Sequence, residues 1–279
     1  MKKKTKIIVS IIILIVIILF GWIYYTNTNI ETTQYNIKNV KIPNEFDDFK
    51  IAEIADLHNK EWNNKLVDKL KKIKPDMIAI TGDFVDSSHT DFKIAINFIK
   101  DVKDIAPIYY VTGNHEAWIS NYEELKKLLL NEGVIVLDNE KTLIEKGDSK
   151  INLIGLLDPD FVERTNIKGI QDDIIEKTLT PLIDKDLYNI VLSHRPEVFE
   201  SYVNSKADLV LTGHAHGGQI RIPFAGGLVA PNQGFFPKYT EGIHHKNNTD
   251  MVISRGLGNS ILPIRVNNMP ELVIIELDS

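Results

Sequence analysis

The chain of 279 residues contains no cysteine. Disulfides, thiolate metal sites and cysteine nucleophiles are therefore excluded. Compartment is left open by this absence, because a chain without thiols is indifferent to its redox surroundings. Low-complexity tracts and internal repeats are absent after residue 25. With 43% hydrophobic and 25% charged residues, the composition is that of a globular protein, which excludes wholesale disorder. The length suits one large domain or two small ones.

Long apolar runs are scarce as well; there is one. MKKKTKIIVSIIILIVIILFGWIYY opens with Lys2, Lys3, Lys4 and Lys6, and residues 7–20 then carry no charge and only Ser10 as a polar residue. Residues 7–23 would span roughly 25 Å as a helix, at the short end for a membrane crossing. Trp22, Tyr24 and Tyr25 stand where an aromatic belt would lie. No small-x-small cleavage site comes after the run, so residues 1–25 read as an uncleaved signal anchor rather than a cleaved signal peptide. The basic flank should stay cytoplasmic, making the protein single-pass in the cell membrane with an extracytoplasmic domain. Beyond residue 25 the balance is 28 basic against 38 acidic residues, a net of −10. Such a domain is not built to attract nucleic acid, and no nucleic-acid binding is expected.

Residues 26–45 read as a polar linker, and residues 46–279 as the functional domain. Within it, apolar strand patterns at 49–55, 77–81 and 108–112 alternate with amphipathic helical spacing at 63–72, 92–102 and 122–130. This alternation predicts βαβ units and an α/β fold. Short strands come next at 135–137, 142–145 and 151–156, then 188–192 and 209–211 with a helix over 197–204 between them, and finally 251–254 and 272–277. Residues 221–248, rich in Gly, Pro and aromatics, read as a long loop, a length typical of functional lids.

The residues just past the strand ends carry the chemistry. Asp56-Leu57-His58 comes after the first strand, Gly82-Asp83 after the second and Gly113-Asn114-His115-Glu116 after the third. His194 comes after 188–193, and Gly213-His214-Ala215-His216 after 209–212. Ligands of open α/β sheets gather at the carboxyl ends of strands, so these residues should converge. Carboxylate, carboxamide oxygen and imidazole suit divalent Mn, Fe or Zn. The donors are too many for one tetrahedral ion and enough for two ions sharing a carboxylate. The flanking glycines permit tight turns and close backbone approach.

With these five blocks in order, the chain resembles the calcineurin-like metallophosphoesterase superfamily. The likeness continues through GGQIRIPFAGGLVAPNQG and SRGLGNSILPIR, which are similar to the membrane-associated or exported phosphodiesterase branch, where some members cleave nucleotide-linked lipids. The resemblance implies a four-layer α-β-β-α sandwich and a dinuclear metal centre. It assigns Asp56, His58 and His216 to one ion, Asn114, His194 and His214 to the other, and Asp83 to the bridge. His115 would be catalytic, facing the substrate and donating a proton or stabilising phosphoryl charge. The implied reaction is in-line attack by a bridging hydroxide on a phosphodiester or pyrophosphate. The substrate would be a phosphorylated small molecule or a lipid-linked one, and the membrane itself a partner through the N-terminal helix.

Two alternatives stay open: a non-catalytic metal- or phosphate-binding module of the same fold, and a cytoplasm-facing phosphohydrolase acting on nucleotide or lipid precursors. Asp86 reads either as an acceptor behind the ligands or as a helix cap, and Glu116 as an orienting group or a surface residue. Arg195, Arg221, Arg255 and Arg265 read as solvated structural residues, with phosphate clamping as the alternative. His89, His244 and His245 read as exposed loop residues. Phe224, Phe235, Phe236 and Tyr239 read as loop packing, with a lipid-facing entrance as the alternative.

Overall fold

The runs Ile51–Ile54, Ile78–Ile80, Ile108–Val111, Ile190–Leu192 and Leu209–Leu211 are buried throughout, as parallel strands covered on both faces must be. A computed structural model describes residues 3–164, 168–259 and 263–279. In chain order its elements begin with α1 (Lys3–Thr28), β1 (Glu31–Lys38), β2 (Lys50–Ile54), α2 (Asn64–Ile73), β3 (Met77–Thr81), α3 (Phe92–Val102), β4 (Ile108–Val111), α4 (Asn114–Trp118), α5 (Tyr122–Asn131) and β5 (Ile135–Val136). They continue with β6 (Glu140–Lys146), β7 (Ser149–Gly155), α6 (Lys168–Leu179), β8 (Asn189–Leu192), α7 (Phe199–Ser205) and β9 (Leu209–Thr212). Four short pieces come next, β10 (Arg221–Ile222), β11 (Gly226–Gly227), β12 (Val229–Ala230) and β13 (Gly234–Phe235), and then β14 (Gly242–Lys246), β15 (Thr249–Ile253) and β16 (Glu271–Asp278).

Two six-stranded sheets form the body, ordered β1-β16-β2-β3-β4-β5 and β14-β15-β9-β8-β7-β6. Strands β2 to β5 pair in parallel, as do β7, β8, β9 and β15. Three apolar clusters separate four layers. One lies between the first sheet and α2, α3 and α5, with Leu66, Leu70, Ile96, Ile99, Leu125 and Leu129 facing Ile54, Ile78 and Ile80. The second lies between the sheets and includes Ile51, Val111, Leu153, Leu192, Leu211 and Ile275. The third packs α6 and α7 through Ile175, Leu179, Phe199 and Tyr202 on Ile154, Val191 and Val210. The fold is thus the α/β four-layer sandwich. Helices α2 and α3 hold their places because their apolar residues recur on one face, and Asp91 caps α3 by accepting from the Lys93 N–H at 2.9 Å.

Three expectations change at the level of elements. Residues 31–38, expected in the linker, form β1, which pairs in parallel with β16 from Glu31↔Glu271 to Lys38↔Asp278. An edge strand of this kind keeps only one buried contact row, here Ile37 with the half-buried Thr33 and Tyr35, so its composition stays polar. Helix α6, with no counterpart in the sequence reading, covers the second sheet. Residues 221–248, expected as a loop, hold two small hairpins (β10–β11 and β12–β13) and the strand β14, which pairs antiparallel with β15. His244 and His245 accordingly sit on a strand, His244 half-buried and His245 paired with Asp250 at 2.8 Å; His89 is exposed in a loop. Within SRGLGNSILPIR, residues 260–262 lie outside the described residues.

Candidate metal centre and catalytic cleft

The parallel strands of both sheets end on the same side of the sandwich, and the two sets of carboxyl ends meet there. Chain reversal after β2 and β3 is tied by Asp56 N–H donating to Gly82 O and His58 N–H to Asp83 O, at 3.1 and 3.0 Å. Gly213 N–H donates to His194 O at 3.2 Å and so fastens the ends of β8 and β9 to each other.

All eight predicted residues are brought together. Asp56, His58 and His216 form one cluster of possible ligands and Asp83, His194 and His214 another; His58, Asp83 and His115 form a third. His58 Nε2 and His216 Nε2 are 3.2 Å apart, and His216 Nε2 is 3.4 Å from Asp56 Oδ1. On the other side His194 Nε2 lies 3.1 Å from His214 Nδ1 and 3.3 Å from Asp83 Oδ2. His194 Nδ1 is 2.8 Å from Thr81 O; with Nδ1–H donating there, Nε2 is left to face the centre. Asn114 Oδ1 is buried with no hydrogen-bond partner among the described residues, although its neighbourhood is polar. A buried carboxamide oxygen of this kind is costly unless something accepts its lone pairs, and a divalent cation fits that need. The donor set of two carboxylates, one carboxamide and four imidazoles also fits.

The electrostatics split the imidazoles: His214 and His216 are held neutral, whereas at His58 and His194 the neighbouring carboxylates overcome burial and favour the charged form while no cation is present. Burial pushes His214 and His216 well below the ordinary imidazole value, helped by Arg195 and His58 respectively; a neutral imidazole is the ligating form. Burial opposes ionisation of Asp83, but His194, His115 and His58 outweigh it and hold its carboxyl well below the usual range. Burial would lower His194 too, yet Asp83 raises it to about 10. Burial raises Asp56 to about 6.

Strain concentrates here. Asp56, His58, Asp83, His214 and His216 all have φ between 47° and 66°. Such left-handed positions cost roughly 1–3 kcal/mol each for residues with side chains, and the surrounding hydrogen bonds and packing must hold them. Glycine serves a different end at two places. A Cβ at Gly213 would stand 2.4 Å from Asp56 Oδ2, and one at Gly113 would stand 2.3 Å from Asp83 Oδ1. The bare backbone lets the turn after β9 rest on the carboxylate that follows β2 in the other sheet, and the turn after β4 rest on the carboxylate that follows its neighbour β3.

Several side chains behind the ligands take roles that the sequence leaves open or does not signal. Glu116 is buried rather than exposed, and its carboxylate accepts from the backbone N–H groups of Asp83, Phe84, Val85 and Gly113 at 2.7 to 3.1 Å. It therefore fixes the loops after β3 and β4 at once, while burial and Asp83 push it up to about 7. Asp86 takes the first of its two expected parts and not the second: Oδ2 is 3.5 Å from His58 Nδ1, whereas Oδ1 accepts from the Ser88 N–H in a loop turn and caps no helix, α3 being capped by Asp91. Arg195 is structural but not solvated: it is buried, doubly paired with Asp158 at 2.7 and 2.9 Å. Asp158 stands just past β7, a sixth strand end bearing an acid, which is the signal the sequence offers for it. Arg265 is likewise buried, donating to the carbonyls of Arg255 and Gly258. Arg255 pairs with Glu31 and Glu271, and Arg221 with Glu241.

A cleft of about 900 Å³ opens over the centre, lined by Asp83, Asn114, His115, Trp118, Arg164 and Asn232 among others. His115 is half-buried; Nδ1 accepts from the Ser87 N–H at 3.0 Å and Nε2 lies 4.0 Å from Asp83 Oδ2. Burial lowers its pKa. Trp118 stacks beside it at 5.1 Å, and the Arg164 guanidinium sits 4.6 Å over the indole. The rim residues Trp118 and Arg164 have no sequence signal of their own.

Fold and donor set define the class: a double-sheet α/β protein with an Asp/His centre able to bind metal. Residues 49–218 match the family described as calcineurin-like phosphoesterase, and the chain belongs to that family. It is accordingly a metal-dependent hydrolase of phosphoester bonds. The uncharacterised metallophosphoesterase YkuE of Bacillus subtilis strain 168 is 30% identical over 274 residues, covering 93% of this chain and 90% of that protein. A second B. subtilis metallophosphoesterase, YkoQ, is 28% identical over 95% of this chain and 97% of its own length. The phosphodiesterase YaeI of Escherichia coli K12 is 28% identical, with 82% of each chain covered.

Proposed function

We propose that the protein is a membrane-anchored phosphoesterase that hydrolyses a phosphodiester or pyrophosphate at a dinuclear centre. Asp56, His58 and His216 would hold one ion, Asn114, His194 and His214 the other, and Asp83 both. The observation that carries this reading is the place of Asp83 Oδ2, which lies 3.5 Å from His58 Nε2 and 3.3 Å from His194 Nε2 and so belongs to both donor groups. Two divalent ions bound there would supply Lewis acidity and acidify a water to a pKa near 7, the source of the hydroxide the resemblance implies. His115, at the cleft wall, would place its Nε2 toward the departing oxygen and hand over a proton or stabilise its charge. Its Nδ1 is already engaged by the Ser87 N–H, which fixes the ring. Asp158 and Glu197, by holding Arg195 beneath His214, would keep that guanidinium from taking over the substrate phosphate.

Helix α1, of which Lys4–Thr28 is long and apolar enough to cross a membrane, would tether the domain. We take residues 1–25 as the anchor, and the lysine flank supports an extracytoplasmic site. The relative YaeI, a phosphodiesterase, supports the diester among the possible substrates. The deciding experiment loads the purified full chain with Mn and assays diesters, monoesters, pyrophosphates and nucleotide-linked lipids, with metal content measured alongside. Two ions per chain and chelator-sensitive diester or pyrophosphate hydrolysis are expected. Hydrolysis that survives complete metal removal, or one ion at full activity, would refute the dinuclear reading.

A further inference from the structure

The anchor helix does not merely precede the domain; its last turns dock on it, and the docking site continues into the most exposed aromatics outside α1. Asn27 Nδ2 donates to Arg265 O and Arg265 N–H to Asn27 Oδ1, each at 2.8 Å, while Trp22 Nε1 lies 3.4 Å from Asn267 Oδ1. Residues 265–267 therefore run along α1 from the level of Asn27 back to that of Trp22, which is toward the apolar span. Lys60 and Lys65 donate to the Asn27 and Thr28 carbonyls at the end of α1, as cations at a helix C-terminus should.

Residues 220–222 lie beside that segment. The bridge Ile220↔Val266 is parallel, and Arg221 N–H donates to Val266 O at 3.0 Å. Their direction is thus also from Asn27 toward Trp22. Extending past Arg221, the β10–β11 hairpin carries Phe224 at its tip, a further ~7–10 Å along that heading at strand rise. Phe224 is fully exposed, and Ile222 beside it is 40% exposed. The β12–β13 hairpin is tied to the first through Leu228, whose N–H donates to Ile220 O and whose carbonyl accepts from Phe236 N–H. It adds Phe235 at 76% and Phe236 at 62% exposure. Of the four aromatics in this stretch, Tyr239 alone packs inward, against Phe199. Residues 217–240 contain no acid and hold Arg221 and Lys238, in a domain otherwise rich in carboxylates.

We propose that these paired hairpins form a membrane seat. Phe224, Phe235 and Phe236 enter the lipid interface beside α1, and the domain is held at the bilayer at two places rather than one. The occupant is the lipid of the membrane that α1 crosses, and the inference rests on that anchoring. Three aromatic rings at the headgroup boundary with Lys238 beside them, Arg221 being paired with Glu241, make the pattern of an interfacial contact. The seat has a consequence for the site. Pro231 and Asn232, at the turn of the β12–β13 hairpin, line the catalytic cleft, so seating brings the cleft mouth to the membrane surface. A phosphate carried by a membrane-held molecule then reaches the centre without leaving the bilayer.

Because the chain has no cysteine, single thiols can be placed at will. The full chain carrying Phe224→Cys, Phe236→Cys, Leu14→Cys or Lys185→Cys is labelled with an environment-sensitive fluorophore and reconstituted in phosphatidylglycerol–phosphatidylcholine nanodiscs with brominated acyl chains. Lys185 is exposed at the opposite end of the second sheet, ahead of β8. Bromolipid should quench the labels at 224 and 236 about twofold, as expected for rings at the acyl boundary, and quench the label at 14 more strongly. The label at 185 should be quenched only by aqueous iodide. Quenching at 14 with 224 and 236 behaving like 185 overturns the seat while leaving the anchor intact. No quenching at 14 overturns the anchoring reading and the seat with it. Shielding of 224 and 236 from iodide without bromolipid quenching would mean that protein, such as a second copy, covers the face, and would also overturn the proposal.

Discussion

The backbone N–H of His115 donates to Asp83 Oδ1 at 2.8 Å, which leaves Oδ2 of the same carboxylate pointing between His58 and His194. One oxygen holds the loop that carries His115 and the other faces both donor groups. Asp83→Asn would keep the shape but lose the charge and one ligating oxygen. Turnover should fall by more than the roughly 10–100-fold typical of changes behind a metal site, and both ions should bind more weakly. Elemental analysis after dialysis, read with kcat, checks this; near-normal activity with full metal content would show that Asp83 bridges nothing.

His115 tests the separation of binding from chemistry. His115→Ala should retain metal, because each of the two proposed ligand groups is complete without it, yet reduce kcat by about 10²–10⁴, the usual contribution of a placed acid or base. A substrate whose leaving group needs no proton should be affected least. Loss of metal from this variant would place His115 among the ligands.

Glu116 makes a prediction about support. Its four accepted N–H groups come from the loops after β3 and β4. Glu116→Gln turns a donor toward donors, leaving buried N–H groups unsatisfied at about 1–3 kcal/mol each. Thermal stability of the metal-free protein should drop, and metal affinity should weaken with it. An unchanged melting temperature would show that the loops hold themselves.

Glu53 is buried in β2, and burial raises its carboxyl well above the ordinary 4.5. A carboxyl whose folded pKa is raised binds its proton more tightly in the folded chain. The contribution of Glu53 to stability is therefore fully present below about 4.5, declines as pH rises above that value, and is lost above the folded pKa. Glu53→Gln removes the penalty, and its amide oxygen can keep the bond from Thr81 Oγ1 seen at 3.1 Å. In chelator the variant should melt about 2–4 °C higher near neutral pH, the shift that ~1 kcal/mol gives in a domain of this class. It should gain nothing at low pH; equal gains at both would refute the ionic origin.

Topology has a direct test. Protease added to intact cells should remove the region after Thr26 and leave the N-terminal peptide in the membrane. Complete protection would place the domain in the cytoplasm and reverse the orientation drawn from Lys2, Lys3, Lys4 and Lys6.

Much of this protein is written in its order of residues. Alternating strand and helix patterns are set by side-chain period, so most elements appear within a residue or two of their expected bounds. The candidate ligand set is legible because each of its members comes directly after an apolar run, where parallel sheets present their strand ends. The amino-acid sequence could not show that β1 is a strand, since an edge strand with one buried row looks like a polar linker. Nor could it show that Glu116 is buried, because its partners are backbone N–H groups with no identity in the sequence. The positive φ at Asp56, His58, Asp83, His214 and His216 is likewise a tertiary product: Asp and His tolerate it better than most side chains, but the tolerance is too weak to select it at five positions without the packing of the two sheet ends. The lodging of β10 against the segment that docks on α1 arises the same way, from residues 221 and 267 meeting across nearly fifty positions of chain.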